Sequence, residues 1–361
     1  MLFRSLSPHS QNGNGRLGLS PNDPRARRIL VQDGLTLPTR LHVPASLVGL
    51  EAGGWSFHAL SMEGKVLSWG TMDGEQWVSP AGAVLSHPGA VAHVPFVLPA
   101  SGRMGEVVQL ECGRKHVVAR NKAGEVWEYY SFGRAYRVVD AAGAWGVGVG
   151  RGKEVRAVAA GWAHSAVLTE GGSAFIWWEF GPGKLAKLAN EAGEAQLEDP
   201  QKEGVTFVVE AETTRLPDLP ISRNGPQDDK IVMLACMDHQ VLALTRNSAL
   251  YLLDTSPVPL PNQPLAPHGS EDPDDSPVRS FASRARLEAA FVSGQRRWEL
   301  MRHFYDIDEI RKLEAFAQEG DEATAKITPP PLSTRINHIS AHFHSFVVCA
   351  FLTSLRFSCS R

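Results

Sequence analysis

The sequence predicts an all-β fold, a β-propeller built from repeated units, on three observations. First, five segments of the 361-residue chain share one pattern, in which an apolar strand ends at a small residue that precedes His or Ser by three positions. Second, each such run is followed by another apolar strand, a polar turn and, in most units, a strand with an aromatic residue. Such strands joined by Gly turns favour antiparallel sheets, which pack radially as blades. Third, at about 50 residues a unit, the length has room for about seven blades.

The first three units are the most regular. The small residue lets the backbone pass close to a neighbouring strand, and the His or Ser that follows can hydrogen-bond the turn. The aromatic residue supplies the apolar surface between adjacent sheets. Because one catalytic site does not need the same residue in every unit, the repeated His predicts a structural role. These residues are Gly53, Ser56 and Trp69 in the first unit, Gly113, His116 and Tyr129 in the second, and Gly161, His164 and Trp177 in the third.

The last two units depart from the pattern. In the fourth, Cys236 takes the place of the small residue and His239 follows it by three positions. In the fifth, Ala341 takes that place, His344 follows, and no matching last strand is present. A fragment at 10–18 is predicted to be only the closing turn of an earlier unit. We therefore expect a propeller that is incomplete at both ends.

Composition divides the chain into four regions. Propeller repeats are predicted over 1–255, interrupted at about 180–226 by a surface excursion with one strand at 205–209. Residues 256–281 are rich in Pro and acidic residues and are predicted to form a disordered linker. Residues 282–330 are predicted to be a helical insertion, because Leu287, Phe291 and Trp298 recur at helical spacing. It either packs on the side of the propeller or docks a partner. Residues 331–361 hold the last repeat and a tail that matches no blade.

Charge and cysteine usage exclude several classes of partner. The net charge of −3 gives no reason to expect nucleic acid or an anionic membrane as a partner. No apolar run approaches the roughly 20 residues that a membrane-spanning helix needs. The 4 cysteines lack paired metal-ligand spacing, which argues against a zinc site and fits a reducing compartment. We expect a monomer without metal or cofactor, cytoplasmic and also nuclear in location.

The sequence fits none of the common catalytic motifs. The Gly-rich run at 146–154 misses the phosphate-loop register, because Val147 stands where Gly is required and Glu154 where Ser or Thr is required. No nucleophile elbow and no zinc-protease motif is present. The sequence therefore predicts a non-catalytic binding protein.

The repeat pattern resembles the regulator-of-chromosome-condensation repeat family, whose members are seven-bladed propellers. Within that family the chain is most similar to the SCF-associated-factor type of F-box protein. The residues that carry the resemblance are the runs 12–18, 52–60, 69–74, 130–137, 177–178, 298–299 and 339–343. The resemblance implies a substrate-recognition component of a Skp/cullin/F-box ubiquitin ligase, with a protein substrate, a Skp adaptor and a cullin as partners. The alternative that the family also offers is a guanine-nucleotide exchange factor for a small GTPase.

Two departures from that family shape the expectation. An F-box would precede the propeller, yet only nine residues stand ahead of Ser10. The run 351–361 resembles no blade, whereas the family continues with further blades. We expect a truncated product whose propeller does not close in the usual way.

Three tryptophans are predicted to anchor a protein partner. Trp55, Trp77 and Trp162 fall in turns or loops of the predicted blades, and exposed aromatic residues on one propeller face are suited to binding. The competing interpretation is that each packs between blades.

Overall fold

The computed structural model describes residues 2–3, 16, 18–20, 39–73, 89–180, 184–185, 207–220, 230–258, 281–301, 334–342 and 345–352. These residues form four sheets of four or five strands, a fifth hairpin and one short two-stranded ladder. No helix among them is long and apolar enough to cross a membrane.

The sheets are called blades 1 to 4 in chain order, followed by the fifth hairpin. The ladder pairs β1 (Leu2–Phe3) with β2 (Thr39–Arg40). Blade 1 holds β3 (Leu47–Ala52), β4 (Ser56–Ser61), β5 (Val66–Gly70) and β6 (Ala92–Val97). Blade 2 holds β7 (Val107–Cys112), β8 (Val117–Asn121), β9 (Val126–Tyr129), β10 (Tyr136–Asp140) and β14 (Phe207–Ala211). Blade 3 holds β11 (Val155–Ala160), β12 (His164–Thr169), β13 (Ala174–Trp178) and β15 (Thr214–Arg215). Blade 4 holds β16 (Ile231–Cys236), β17 (Gln240–Thr245), β18 (Leu250–Asp254) and β19 (Glu299–Leu300). The fifth hairpin pairs β20 (Thr334–His342) with β21 (Ser345–Leu352), and two helices lie at α1 (Ser101–Met104) and α2 (Phe281–Val292).

The arrangement is that of propeller blades, as the sequence predicts. The first strands of successive blades contact one another, β3 with β7, β7 with β11, β11 with β16 and β16 with β20. The apolar core is divided into clusters that lie between neighbouring blades rather than within one blade. Each blade is antiparallel except at one edge, where β14 joins blade 2 parallel to β10.

A bulge at the same place in every first strand fixes which residues are equivalent. The ladder skips one residue in each case, and the skipped residues are Val48, Val108, Arg156, Val232 and Asn337. Counting from the bulge, Gly53, Gly113 and Gly161 share one position, and Ser56, His116 and His164 share another.

This register corrects the last two predicted units. Met237, not Cys236, stands at the small-residue position of blade 4, and Gln240, not His239, stands at the His position, because the Met237 N–H bonds the Gln240 carbonyl. In the fifth hairpin His342 pairs with Ser345 at the corresponding point, so Ala341 lies one residue too early. His344 lies outside the described residues.

The predicted excursion supplies strands to two blades. Phe207–Ala211 extends blade 2 as its fifth strand, and Thr214–Arg215 completes blade 3. Between them Thr213 donates a 2.5 Å hydrogen bond to Asp140 of blade 2. The segment therefore runs from the outer edge of one blade to the outer edge of the next, and it is more than a surface loop.

The helical prediction is wrong in its later part. Helix α2 ends at Val292, and Gly294 then adopts a φ of 72°, a conformation that glycine reaches without strain. The chain turns there, Trp298 is buried, and Glu299–Leu300 pairs with β18 as the last strand of blade 4. Leu287 and Phe291 pack into the cluster between blades 3 and 4, so the helix covers the side of the propeller. Residues 259–280 and 302–333 lie outside the described residues.

The N-terminal segment covers the face of blade 1 that points away from blade 2. Leu19 and Leu41 pack against Trp69, and the Trp69 indole N–H donates to the Arg16 carbonyl at 3.2 Å. This is the side on which each later blade contacts its predecessor. The segment thus occupies the place of a preceding unit, although residues 4–15 lie outside the described part.

Candidate protein-binding face

The loops that join the first and second strands of each blade lie side by side and define one face, called the loop face. It comprises residues 53–56, 113–116, 161–164 and 237–240. Backbone hydrogen bonds link the loops of neighbouring blades. The Gly54 N–H donates to the Arg114 carbonyl at 3.0 Å, the Arg114 N–H to the Trp162 carbonyl at 3.0 Å, and the Trp162 N–H to the Met237 carbonyl at 3.3 Å. The relative positions of these loops are therefore set by main-chain contacts between blades.

Two glycines permit this close approach. A Cβ on Gly113 would lie 2.5 Å from the Gly161 carbonyl oxygen and 2.1 Å from the His116 ring. A Cβ on Gly161 would lie 2.2 Å from the Met237 carbonyl oxygen and 2.4 Å from the His164 ring. Gly53 is less crowded, since its Cβ would lie 2.9 Å from the Ser56 hydroxyl and 3.2 Å from the Gly113 carbonyl oxygen. At the same position blade 4 has Met237, with no blade loop of this kind described beyond it except the fifth hairpin.

One arginine on the loop face lies between two tryptophans. The guanidinium carbon of Arg114 is 4.9 Å from the Trp55 ring centre and 4.6 Å from the Trp162 ring centre. Trp55 belongs to blade 1, Arg114 to blade 2 and Trp162 to blade 3, so this Trp–Arg–Trp stack crosses three blades. All three side chains are half-buried. Such cation–π contacts favour one fixed arrangement of the three side chains.

The charges around the stack are unevenly compensated. Lys115 pairs with Asp73 at 3.0 Å, and His239 lies 3.6 Å from Asp238. For Arg114 the described residues include no carboxylate within salt-bridge distance, and its Nε is buried without an acceptor among them. Trp77, the third predicted anchor, lies outside the described residues. Among the described residues, the positive charge of Arg114 on this face thus lies between two aromatic rings and not beside a carboxylate.

Directly below the loop face, a buried ionic network joins blades 2 and 3. His116 Nδ1 lies 3.1 Å from Glu179 Oε1, and His116 Nε2 lies 3.9 Å from Glu128 Oε1. Burial lowers the pKa of His116. The hydrogen bond and charge of Glu179 and the charge of Glu128 raise it by more, so the pKa lies above its usual value. Burial raises the pKa of Glu128, opposed by the charge of His116. The two acidic side chains thus shift the protonation of the buried imidazole toward its charged form.

Glu128 is the centre of that network. Its side chain is fully buried and accepts hydrogen bonds from the Tyr130 hydroxyl at 2.8 Å, the Trp177 indole at 2.9 Å and the Ser165 hydroxyl at 3.3 Å. Tyr130 also accepts from the Phe180 N–H at 2.9 Å. Because these groups are engaged with one another in the interior, their role is to hold the blades that carry the loop face.

The other buried histidines are neutral. His58 of blade 1 lies 2.9 Å from the Ser68 hydroxyl and 2.8 Å from the Ser56 hydroxyl, and Tyr129 of blade 2 approaches it at 3.0 Å. Burial lowers the pKa of His58 to about 3, and burial with nearby positive charge lowers that of His164 to about 3. The same repeat position therefore holds His116, whose pKa is raised, and His164, whose pKa is lowered.

The predicted aromatic residues share one position. Trp69, Tyr129 and Trp177 pair with Phe57, Val117 and Ser165 respectively, at equivalent points of their blades, and all three are buried. In blade 4 the position holds Leu253.

The sequence interpretation missed Arg114, Glu128 and Glu179. Arg114 had a usable signal, since it occupies the same repeat position as Trp162 and directly follows a predicted glycine. Glu128 gave no such signal, because a single charged residue in a short strand is ordinarily exposed. Within the described ranges, no group of three or more His, Cys, Asp or Glu side chains could hold a metal ion.

The strand pairing and the loop face define the class of protein, an all-β propeller of short repeats. No protein-family model matches the chain, and no curated protein matches it. Among solved structures it is similar to human WBSCR16, with 15% identity and a TM-score of 0.44 over 67% of this chain and 55% of that one. It is also similar to Prp20p of Saccharomyces cerevisiae, described by its binding to Gsp1p and histones, with 16% identity and a TM-score of 0.46 over 94% of this chain and 64% of that one. The yeast RCC1 (Prp20) bound to Kap60 gives 16% identity and a TM-score of 0.43 over 94% and 62% of the two chains. The chain thus spans between about half and two thirds of the length of these proteins.

Proposed function

We propose that this chain is a monomeric protein-binding propeller of the regulator-of-chromosome-condensation repeat type, which holds a protein substrate on its loop face. The observation that carries the proposal is the Trp–Arg–Trp stack formed by Trp55, Arg114 and Trp162. Tryptophan and arginine are the residue types most enriched at the energetic centres of protein interfaces. A stack fixed by contacts among three blades also loses little side-chain entropy when a partner binds.

The buried network supports a binding role over a catalytic one. His116, Glu128 and Glu179 are buried titratable groups below the loop face, and they face one another inside the junction of blades 2 and 3. A general acid or base must reach the proton of a substrate within hydrogen-bond distance. In the proposal these three residues therefore stabilise the platform, and no metal or cofactor takes part.

For the cellular role we propose a substrate-recognition component of a Skp/cullin/F-box ubiquitin ligase. The support is a resemblance to the SCF-associated-factor type, carried by the runs 52–60 and 69–74. In blade 1 these runs include most of β4 and the end of β5. The partners in this proposal are a protein substrate, a Skp adaptor and a cullin. The proposal implies a cytoplasmic protein with a nuclear pool.

Affinity purification of the full chain under proteasome inhibition tests both halves of the proposal. We expect a Skp adaptor and a cullin to be recovered with the wild-type chain. Trp55→Ala combined with Arg114→Ala should lose the substrate while keeping the adaptor. Absence of any Skp adaptor or cullin from the wild-type purification would contradict the ligase role, and substrate capture unchanged by the double substitution would contradict the assignment of the binding face.

The second candidate is a guanine-nucleotide exchange factor for a small GTPase, which the resemblance to the repeat family favours. Release of a fluorescent guanine nucleotide from candidate GTPases distinguishes the two. An exchange factor accelerates that release at catalytic amounts, whereas a ligase adaptor leaves the rate unchanged. Acceleration by the wild-type chain would overturn the ligase proposal.

A further inference from the structure

We propose that the Trp–Arg–Trp stack binds a carboxylate side chain of an acidic, aromatic-containing segment of the partner protein. This inference rests on the proposed function and adds the chemistry of the recognised segment. It starts from the charge of Arg114, which faces no carboxylate within salt-bridge distance among the described residues. The neighbouring Lys115 is by contrast paired with Asp73 at 3.0 Å.

The position of the rings decides how a ligand can approach Arg114. One ring comes from blade 1 and the other from blade 3, so the guanidinium of blade 2 lies within 5 Å of a ring from each neighbouring blade. Its remaining donors lie along its edge. A guanidinium edge offers two parallel N–H groups, and a carboxylate accepts both in the same plane. A carboxylate side chain matches this pair of donors in one plane, and a phosphate, which can also accept both, is the competing ligand that the experiment below distinguishes.

The rings also define what should flank the carboxylate. Trp55 and Trp162 are half-buried, so each keeps some apolar surface in contact with solvent. Apolar or aromatic side chains next to the acidic residue can cover that surface when the segment binds. The recognised segment is thus expected to alternate acidic and aromatic residues rather than to carry charge alone.

A peptide titration of the full chain tests the inference. The probe is acetyl-(Glu-Phe)3-amide, with acetyl-(Gln-Phe)3-amide as the matched neutral peptide, and binding is followed by tryptophan fluorescence and by the arginine Nε–H resonances. We expect the glutamate peptide to bind at least tenfold more tightly than the glutamine peptide. Arg114→Gln should remove that difference, and Arg114→Lys should retain only part of it because lysine lacks the planar pair of donors. Arg151→Gln, an exposed position on a different loop, should bind like the wild type.

Three results would overturn the inference. Equal binding of the glutamate and glutamine peptides would show that the protein does not recognise the carboxylate. An Arg114→Gln protein that still prefers the glutamate peptide, with an unchanged unfolding midpoint, would show that another cation reads it. Tighter binding of acetyl-(phosphoserine-Phe)3-amide than of the glutamate peptide would replace the carboxylate by a phosphate. Each result is distinguishable from failure of the proposed function, because recovery of the Skp adaptor does not depend on this stack.

Discussion

The junction between blades 2 and 3 and the junction between blades 3 and 4 use the same backbone positions with opposite chemistry. Glu128 at the first junction corresponds to Ile176 at the second, because they pair with Val118 and Ala166 at equivalent points. Glu128 belongs to the buried ionic network, whereas Ile176 lies in an apolar cluster with Leu234. The repeat therefore fixes the shape of a junction and leaves its polarity free.

One further position contributes to the opposite pKa shifts of His116 and His164. The Glu179 N–H donates to the Ala163 carbonyl and the Thr255 N–H donates to the His239 carbonyl, which makes Glu179 and Thr255 equivalent. His116 faces Glu179 across its junction at 3.1 Å. His164 would face Thr255, a residue without charge. Burial lowers the pKa of both histidines, and the charges of His239 and His116 lower that of His164 further. At His116 the hydrogen bond and charge of Glu179, with the charge of Glu128, outweigh burial and raise the pKa.

The largest expected effect on the free energy of unfolding comes from replacing Glu128 of the charged junction by Ile, the residue at the equivalent position of the apolar junction. Glu128→Ile leaves His116 beside one carboxylate only and removes the acceptor of Tyr130, Trp177 and Ser165. Breaking a buried ion pair by removing one partner costs about 3–5 kcal/mol. We expect a loss of that size in the free energy of unfolding, measured by urea denaturation.

The matched control for Glu128→Ile is Ile176→Val at the equivalent position. It removes one buried methylene and should cost about 0.5–1.5 kcal/mol. If Glu128→Ile costs no more than this control, the ionic network does not hold the junction.

The next effect concerns the charge state of His116. Glu179→Thr copies the blade 4 residue into blade 3 and removes the hydrogen-bond partner of the imidazole. Because His116 has a raised pKa when folded, its contribution is fully present below its unfolded pKa of about 6.5 and is lost as the pH rises through the folded value. We expect the variant to lose about 1.5–3 kcal/mol near pH 6 and progressively less at higher pH.

Unfolding curves between pH 5.5 and 9 for the wild type and Glu179→Thr measure that difference. Half-buried Glu51 and Glu111 titrate in the same range, but they are common to both proteins and cancel. Partial burial raises the pKa of Glu51 to about 7, and partial burial with the charge of Glu51 raises that of Glu111 to about 8. His164→Gln provides the opposite profile. The contribution of neutral His164 is present above about 6.5 and is lost as the pH falls toward about 3. A pH-independent gap between wild type and Glu179→Thr would mean that His116 is neutral in the folded protein.

The third effect tests the main-chain contact that the two junctions share. Gly161→Ala places a Cβ 2.2 Å from the Met237 carbonyl oxygen, and backbone cannot move aside as a side-chain tip can. Overpacking of this kind costs about 1–3 kcal/mol. We expect that loss by thermal or urea unfolding. Gly102→Ala in helix α1 meets nothing within 4 Å and should be neutral or slightly stabilising. Equal stability of the two variants would mean that the loops can separate without cost.

Features set by residues close together in the sequence could be predicted, whereas positions set by strand pairing could not. Gly113 and Gly161 were predicted from their spacing to His116 and His164, because the small residue and the turn lie within four residues of each other. The assignment of His239 failed because the pattern matched a residue type, whereas the ladder sets the position. Blade 4 keeps the bulge at Val232 and the turn at Met237, and Gln240 stands where a histidine was expected.

Non-local pairing decided the remaining errors. The apolar spacing of Leu287, Phe291 and Trp298 fits a helix, but Leu300 pairs with Tyr251, which lies 49 positions earlier in the chain. Tertiary pairing of this kind overrides local periodicity. Glu128 was missed for the same reason, since its partners Ser165 and Trp177 belong to another blade. A repeat that predicts the fold therefore does not predict the chemistry between its copies.

The smallest effect is expected for an ion pair at the surface of blade 2. Lys122 Nζ lies 2.9 Å from Glu106 Oε2, with 70% and 51% of the two side chains exposed. Solvent and salt screen such a pair, which contributes about 0–1 kcal/mol. Lys122→Gln keeps the hydrogen bond from the residue 122 N–H to the Glu106 carbonyl, so urea unfolding at 150 mM salt should shift by less than about 0.5 kcal/mol. A loss as large as that of Glu128→Ile would show that exposure does not separate the Lys122–Glu106 pair from the His116–Glu128 pair, and the contrast between buried and exposed charge would fail with it.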